Sequence, residues 1–276
     1  MASLVLTQRG ALPGPLDGSV IRPDRLAGLS LADIGRLSLT LDDGRTVALA
    51  GIFAASGEPS DTVHIAGDLH QLRRLGAGME SGTLLVEGSV GDGLGERMRG
   101  GRIEVSADAG DDAGREMAGG TILIRGSAGA RTGSAMPGAK RGITGGAIVI
   151  FGDAGPGTGA FMRRGLIAVA GHAGPDTART AIAGTVVVGG DVGPNPGRFN
   201  KRGTIVALGS VTPPVTYRYA CTYHPPVIGV MLGYLRATYG FPVTGDHIRG
   251  LYRRFSGDLG DAGKGEILHW TGETGD

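Results

Sequence analysis

Seven glycines set a register that few folds can accommodate: Gly82, Gly101, Gly120, Gly146, Gly165, Gly184 and Gly203, separated by 19, 19, 26, 19, 19 and 19 residues. A fixed period of this length marks a chain that stacks one structural unit upon the next. The single long interval equals the period plus seven and contains SAMPGAKRGIT, which reads as a loop inserted into an otherwise constant coil. A looser copy begins near Asp61, 21 residues before Gly82, which makes eight coils. After its glycine each coil carries a short apolar run, such as TLLVEGSVG, TILIRGSAG or AIVIFGDAG. Alternation places Leu84/Val86, Ile103/Val105, Ile122/Ile124, Ile148/Ile150, Ile167/Val169, Val186/Val188 and Ile205/Ala207 on one side of a strand. Such strands are too short to stand alone, and stacking them in parallel, about 4.8 Å apart, buries a continuous apolar ladder.

Turn chemistry agrees with the period. Gly-Asp or Gly-Ser follows most strands, as at Gly88-Ser89, Gly126-Ser127, Gly152-Asp153 and Gly190-Asp191, with Ala107-Asp108 and Gly171-His172 as variants. Glycine permits positive φ there, and Asp or Ser bonds the backbone locally. Three residues before the register glycine, Met79, Met98, Met117 and Met162 recur, with Ile143 once, and they are expected to point inward as filler. Glycine supplies 54 of 276 residues, but the chain lacks a Gly-X-Y period, and its 41% apolar content comes in β-branched clusters, against disorder. The left-handed hexapeptide helix of acyltransferases is the main rival, since 19 is close to three sixes. Each coil, however, has one strong strand and no aliphatic residue at every sixth position.

The expected fold is all-β: a right-handed single-stranded parallel β-helix over residues 61–211, with an N-terminal β cap over 1–60 and a small α-containing C-terminal cap over 212–276. In the first cap, LSLTLDDGRTVAL predicts a hairpin turning at Asp43-Gly44, and a short helix is expected near Ala32–Arg36. In the second, Thr212-Pro213-Pro214 ends the ladder and VIGVMLGYLRATYG predicts a helix closed by Gly240. A further helical piece around His247–Phe255 and a strand at GEILHW complete it.

With 27 basic and 26 acidic residues the formal net charge is +1, so neither a nucleic-acid nor a membrane-surface field is expected. The lone Cys221 makes no internal disulfide and cannot hold an iron–sulfur cluster; a packed thiol is expected. No stretch approaches the length of a membrane span and the first residues lack a secretory pattern, so the expectation is a cytoplasmic protein.

The glycine-rich coils, preceded by RPDRLAGLSLADI and followed by a proline–aromatic–helix segment, resemble the C subunit of the formyltransferase/hydrolase complex of methylotrophic bacteria. They are equally similar to the C subunit of the archaeal tungsten or molybdenum formylmethanofuran dehydrogenases. The coil also resembles the GXGXG domain that closes the large polypeptide of glutamate synthase. The resemblance implies a non-catalytic scaffold in one-carbon metabolism and formaldehyde oxidation. It would brace an amidohydrolase-like subunit and a formyltransferase subunit that act on a formylated furan-type carrier, methylofuran or methanofuran. The Ala-, Arg- and Gly-rich usage favours the bacterial complex. An independent solenoid enzyme, such as a polysaccharide lyase or acyltransferase, and a glutamate-synthase-like spacer are the readings from other classes.

No catalytic residue, metal site or tightly bound cofactor is expected in this chain. The six histidines show no metal-ligand spacing, and the row Asp68, Ser89, Asp108, Ser127, Asp153, Asp191 and Ser210 is explained by turns. Two features rise higher. The outward strand positions Leu123, Val149, Ala168, Val187 and Val206 make an apolar stripe, to be covered by a docked partner or by the chain's own caps. Basic residues cluster before the register glycines: Arg97/Arg99, Lys140/Arg141, Arg163/Arg164 and Lys201/Arg202, with Arg179 and Arg198 near the same corner. Stacked coils would align them along one edge. It is either a solvated rim or a guide for an acidic partner or for the polyglutamyl tail that the resemblance implies for the carrier.

Overall fold

A computed structural model of the protein describes residues 3–274 and is mostly β. In chain order its elements are β1 (Leu4–Gln8), β2 (Leu16–Asp17), α1 (Pro23–Leu26), α2 (Leu31–Arg36), β3 (Ser38–Leu41), β4 (Thr46–Ala48), α3 (Leu49–Ile52), β5 (Phe53–Gly57), β6 (Thr62–Ala66) and β7 (Leu72–Arg73). The repeat strands continue as β8 (Thr83–Glu87), β9 (Arg102–Val105), β10 (Thr121–Ile124), β11 (Ala147–Ile150), β12 (Leu166–Val169), β13 (Thr185–Val188) and β14 (Thr204–Ala207). Then come β15 (Arg218–Tyr223), α4 (Pro226–Tyr239), α5 (Gly245–Arg249), β16 (Gly250–Gly257) and β17 (Gly265–Thr274).

From β6 to β14, skipping β7, the strands pair in parallel, each with the next repeat. Their register follows the glycines: Ile103 stands beside Ile122, then Ile148, Ile167, Val186 and Ile205. All six are fully buried, so the alternation in the sequence becomes one apolar column. A second parallel column runs through Leu69, Val90, Ala109, Ala128, Ala154, Ala173 and Val192. The position three before the register glycine fills the interior, with Met79, Met98, Met117, Ile143 and Met162 at most 1% exposed. Gly101 shows why the register needs glycine: its φ is +80°, and a Cβ there would lie 2.7 Å from the Gly82 carbonyl oxygen.

The Asp/Ser row is structural, but through a different bond from the local one expected. From Ser89 to Asp191 each side chain accepts from the backbone N–H of its counterpart in the next repeat: Ser127 N–H donates to Asp108 Oδ1 (2.6 Å), Asp153 N–H to Ser127 Oγ (3.1 Å) and His172 N–H to Asp153 Oδ1 (2.7 Å). The series continues from Asp191 N–H to His172 Nδ1 and from Ser210 N–H to Asp191 Oδ1, both at 2.9 Å. These side chains join layers rather than closing their own turns.

At the N-terminal end β1 lies between β6, in parallel, and β5, antiparallel. The hairpin β3–β4 forms with Gly44 at φ +85°, and α2 spans the expected helix. At the other end β17 continues the parallel ladder on β14 and pairs antiparallel with β16, which pairs with β15 at the sheet edge. Gly240, at φ +70°, closes α4 as a left-handed cap. The helix expected over His247–Phe255 is corrected: only Gly245–Arg249 is helical, and residues 250–257 are strand because β17 offers them a full antiparallel partner. Cys221, expected to be packed, is exposed on the edge strand β15.

The outward stripe is also corrected as a partner interface. Leu123, Val149, Ala168, Val187 and Val206 are 0% exposed. They form a second core with Ile228, Leu232, Leu235, Phe241, Val243 and Tyr252 of the chain's own C-terminal segment. The helix lies over the later repeats, and for that reason β10 to β14 are buried on both faces while β8 and β9 alternate. Among the described residues no helix is long and apolar enough to cross a membrane.

Candidate functional site

The interior is filled by aliphatic side chains, so chemistry must take place on the outside, where the corner preceding the register glycines concentrates charge. In the early repeats that charge is neutralised one layer up or down. Arg97 donates from Nε to Glu116 (2.9 Å), Arg99 bonds Glu80 (2.9 Å), and Arg115 bridges Glu96 (2.8 Å) and Asp112 (3.2 Å). Arg131 holds Asp112 with Nε and Nη2, both at 2.9 Å, and reaches Asp111 at 3.0 Å. These carboxylates push the Arg131 and Arg97 guanidinium pKa values further up, the hydrogen bonds to Asp112 and Glu116 being the main cause.

The later repeats have no counterpart of Glu96 or Glu116, and Asp176, at the position of Asp112, joins no arginine among the described residues. Arg141, Arg163, Arg164, Arg179, Arg198 and Arg202 have no carboxylate within ion-pair distance among the described residues, nor has Lys140. Lys201 departs from the group because its Nζ lies 3.6 Å from Asp261. Arg179 and Arg198 stack instead on aromatic rings, over Phe161 at 5.4 Å and over Phe199 at 5.1 Å. The single edge expected is therefore divided. Arg163, Arg164 and Arg202, with Thr144, Ile182 and Ala183, line a hollow of about 520 Å³. Lys140 and Arg141, with Glu116, Gly142 and Thr144, line one of about 370 Å³. Arg179 lies in a third of about 440 Å³, with Lys140, Phe161 and most of the inserted loop. Shared lining by Thr144 and by Lys140 joins the three into one basic trench.

Sequence reasoning missed the part played by residues 135–141, the seven that lengthen one interval. Glu116 tethers this loop, accepting from Met136 N–H at 3.2 Å while its other oxygen holds Arg97. The interruption of the period was the visible signal. Elsewhere, a His70–Asp68 contact of 2.6 Å borders a hollow beside Arg9, but both side chains are more than half exposed and no third group orients them. No group of three or more His, Cys, Asp or Glu stands in a metal-binding arrangement among the described residues.

Unpartnered apolar surface does exist, though not on the repeat strands that carry the stripe. On the outer face of α4, Val227, Val230 and Tyr234 are 79%, 75% and 50% exposed, at the spacing of one helical stripe. Tyr219 on the neighbouring β15 is 58% exposed.

Comparison with known proteins adds an independent line. Over 89 residues the chain is 40% identical to the C subunit of the Fhc formyltransferase/hydrolase complex of Methylorubrum extorquens, covering 32% of this chain and 33% of that protein. Over 95 residues it is 33% identical to the C subunit of the tungsten-containing formylmethanofuran dehydrogenase 2 of Methanothermobacter thermautotrophicus, covering 33% and 35%. These sequence matches thus span about a third of the curated relatives' length. No family model matches. In three dimensions the chain is similar to one in the crystal structure of the formyltransferase/hydrolase complex (FhcABCD) from Methylorubrum extorquens in complex with methylofuran. That likeness has a TM-score of 0.88 and 36% identity, and it covers 96% of this chain and 98% of the other.

Proposed function

Because this chain belongs to the C-subunit family of formyltransferase/hydrolase complexes and formylmethanofuran dehydrogenases, we propose that it is the non-catalytic scaffold of a formyltransferase/hydrolase complex. In that role it works in cytoplasmic one-carbon metabolism, in formaldehyde oxidation, on a formylated furan-type carrier. The observation that carries the reading is the near end-to-end likeness to a chain of the methylofuran-bound complex. We read the stacked 19-residue repeats as a right-handed parallel β-helix over 61–211, with caps over 1–60 and 212–276. Such a body offers partners a long rigid wall, because each layer is hydrogen-bonded to the next along its whole length.

The partners are an amidohydrolase-like subunit and a formyltransferase subunit. With the strand stripe already covered, the outer face of α4 around Val227, Val230 and Tyr234 is the apolar surface left for one of them. The basic trench suits the polyglutamyl tail of the carrier. Arg141, Arg163, Arg164, Arg179 and Arg202 line it and hold positive charge that no internal carboxylate answers, with Arg198 a repeat beyond Arg179, so a chain of carboxylates passing along it meets fixed counter-charges. The chain supplies no acid, base or nucleophile in this reading; it holds and steers, and its partners react.

The test is co-purification of the tagged full chain from its own cells, followed by mass spectrometry and carrier titration. Amidohydrolase-like and formyltransferase subunits should come with it, and R163E/R202E should assemble normally but bind the carrier about tenfold more weakly. Recovery of the chain alone overturns the scaffold role, and unchanged carrier affinity overturns the trench.

A further inference from the structure

The loop 135–141 is the seven-residue insertion that the 19-residue register of the glycines does not require, and it roofs a cavity. In the early repeats the corresponding corner is filled by ion pairs, with Glu96 against Arg115 and Arg97 against Glu116. Beneath the loop the layers change character. Ser134 and Ala160 occupy the layer positions of Glu96 and Arg115, and Phe161 occupies that of Arg97 and Glu116. Small side chains leave room where the ion pairs stood, and the loop closes over it with Ala135, Met136, Pro137 and Ala139. The result is about 440 Å³, within the roughly 300–1,000 Å³ of small-ligand sites.

Charge on the walls is unbalanced. Arg131 is taken up by Asp111 and Asp112, but Lys140 and Arg179 have no acid partner among the described residues. Asp176 stands three residues before Arg179, as Asp112 does before Arg115, yet only the earlier two join, at 3.2 Å. Asp176 Oδ1 and Arg179 Nε are both buried without a hydrogen-bond partner, and the Arg179 guanidinium lies over the Phe161 ring. An aromatic floor, an apolar roof and two uncommitted cations select a flat apolar body that carries a negative group.

We propose that this loop-roofed cavity is a binding site for a planar aromatic carboxylate, its ring against Phe161 and Met136 and its carboxylate between Lys140 and Arg179. The site shares Lys140 and Arg179 with the trench proposed for the carrier tail, but it does not rest on the scaffold reading, because its lining comes from this chain alone.

The full chain, free of partners, is titrated with 2-naphthoate by calorimetry and by ligand-observed magnetic resonance. Saturable binding is expected, with 2-naphthamide, which keeps the rings and loses the charge, about tenfold weaker. R179Q and K140Q should each weaken naphthoate about three- to tenfold. Excising residues 135–141 restores the ordinary period, so that variant should keep its repeats and lose the ligand. Should the shortened chain not fold, the R179Q/K140Q double variant decides alone. Absence of saturable binding, equal binding of the amide, or undiminished binding in the double or excised variant overturns the proposal.

Discussion

The early repeats, β8 to β10, and the later ones, β11 to β14, share an interior and differ outside it. Both present the same buried column, Ile103 and Ile122 in one group and Ile148, Ile167 and Ile205 in the other. Outside, the early corner is closed by ion pairs between layers, whereas the later corner carries arginines that no carboxylate meets. Outward strand positions divide one strand earlier: Glu104, in β9, pairs with Arg102 and Arg125, while Leu123, in β10, already lies with Val149, Val187 and Val206 in the core beneath the C-terminal segment. The fold therefore dictates the inward face, and the outward face reports what each layer meets: solvent, the chain's own cap, or a molecule from outside.

The largest expected effect comes from exchanging one outward residue for an amide in each region. Val187→Asn should destabilise the protein by about 3–5 kcal/mol, since it removes a buried aliphatic group and leaves an amide unbonded under the cap. Leu85→Asn, at the equivalent position of β8, is only half-buried and should cost less than about 1 kcal/mol. Chemical denaturation of both variants is the measurement, and equal losses would mean that the cap does not distinguish the two regions.

The second contrast concerns the corner. Glu96 is 2% exposed and holds Arg115 at 2.8 Å and Arg74 at 3.6 Å, so Glu96→Gln takes from the half-buried Arg115 one of its two carboxylates, leaving only Asp112. A loss of about 2–3 kcal/mol is expected. Arg198→Gln, in the later region, breaks no ion pair and should remain within about 0.5 kcal/mol of the parent. A large loss at Arg198 would show that the later arginines are structural after all.

How much of this could be read from the residues depends on the distance to the partner. The inward column was legible because its signal is local, alternation within a strand and repetition every 19 residues. The stripe was legible as a stripe, but its cover was not. Leu123 meets a helix that begins about a hundred residues later, and no period carries that information. The neutral and unneutralised arginines lie between these cases. Arg97–Glu116, Arg115–Glu96 and Arg131–Asp112 are all 19 residues apart, so moving the charge pattern by one period exposes the early pairs. The same offset carries Arg163 to Ile182 and Arg164 to Ala183, where no acid stands. Residues 250–257 misled for a tertiary reason: the strand is made by β17 rather than by its own pattern.

The smallest expected effect tests the cap that separates the two regions. His247 sits at the start of α5, where its Nδ1 accepts from the Thr244 backbone N–H (3.1 Å) and its ring stands edge-on to Trp270 at 4.4 Å. Burial pushes its pKa below the ordinary 6.5, and the nearby Asp246 carboxylate opposes that only in part. A histidine whose folded pKa is depressed contributes stability above its unfolded pKa. As pH falls below 6.5 the unfolded chain takes up the proton first, and stability declines until the folded ring is protonated too. Protonation also removes the acceptor that Thr244 needs, so the cost falls on the cap. The ring is only partly buried, which limits the loss to under about 1 kcal/mol after solvent screening. Hydrogen exchange between about pH 7.5 and 5 should then show faster opening in α4, α5 and the outward positions of β11 to β14, with β8 and β9 unchanged. His247→Gln, which keeps a side-chain acceptor but does not titrate, should reduce the difference to the part left by His269 of β17, whose pKa burial also lowers; a step of undiminished size in that variant assigns the acid sensitivity to another group.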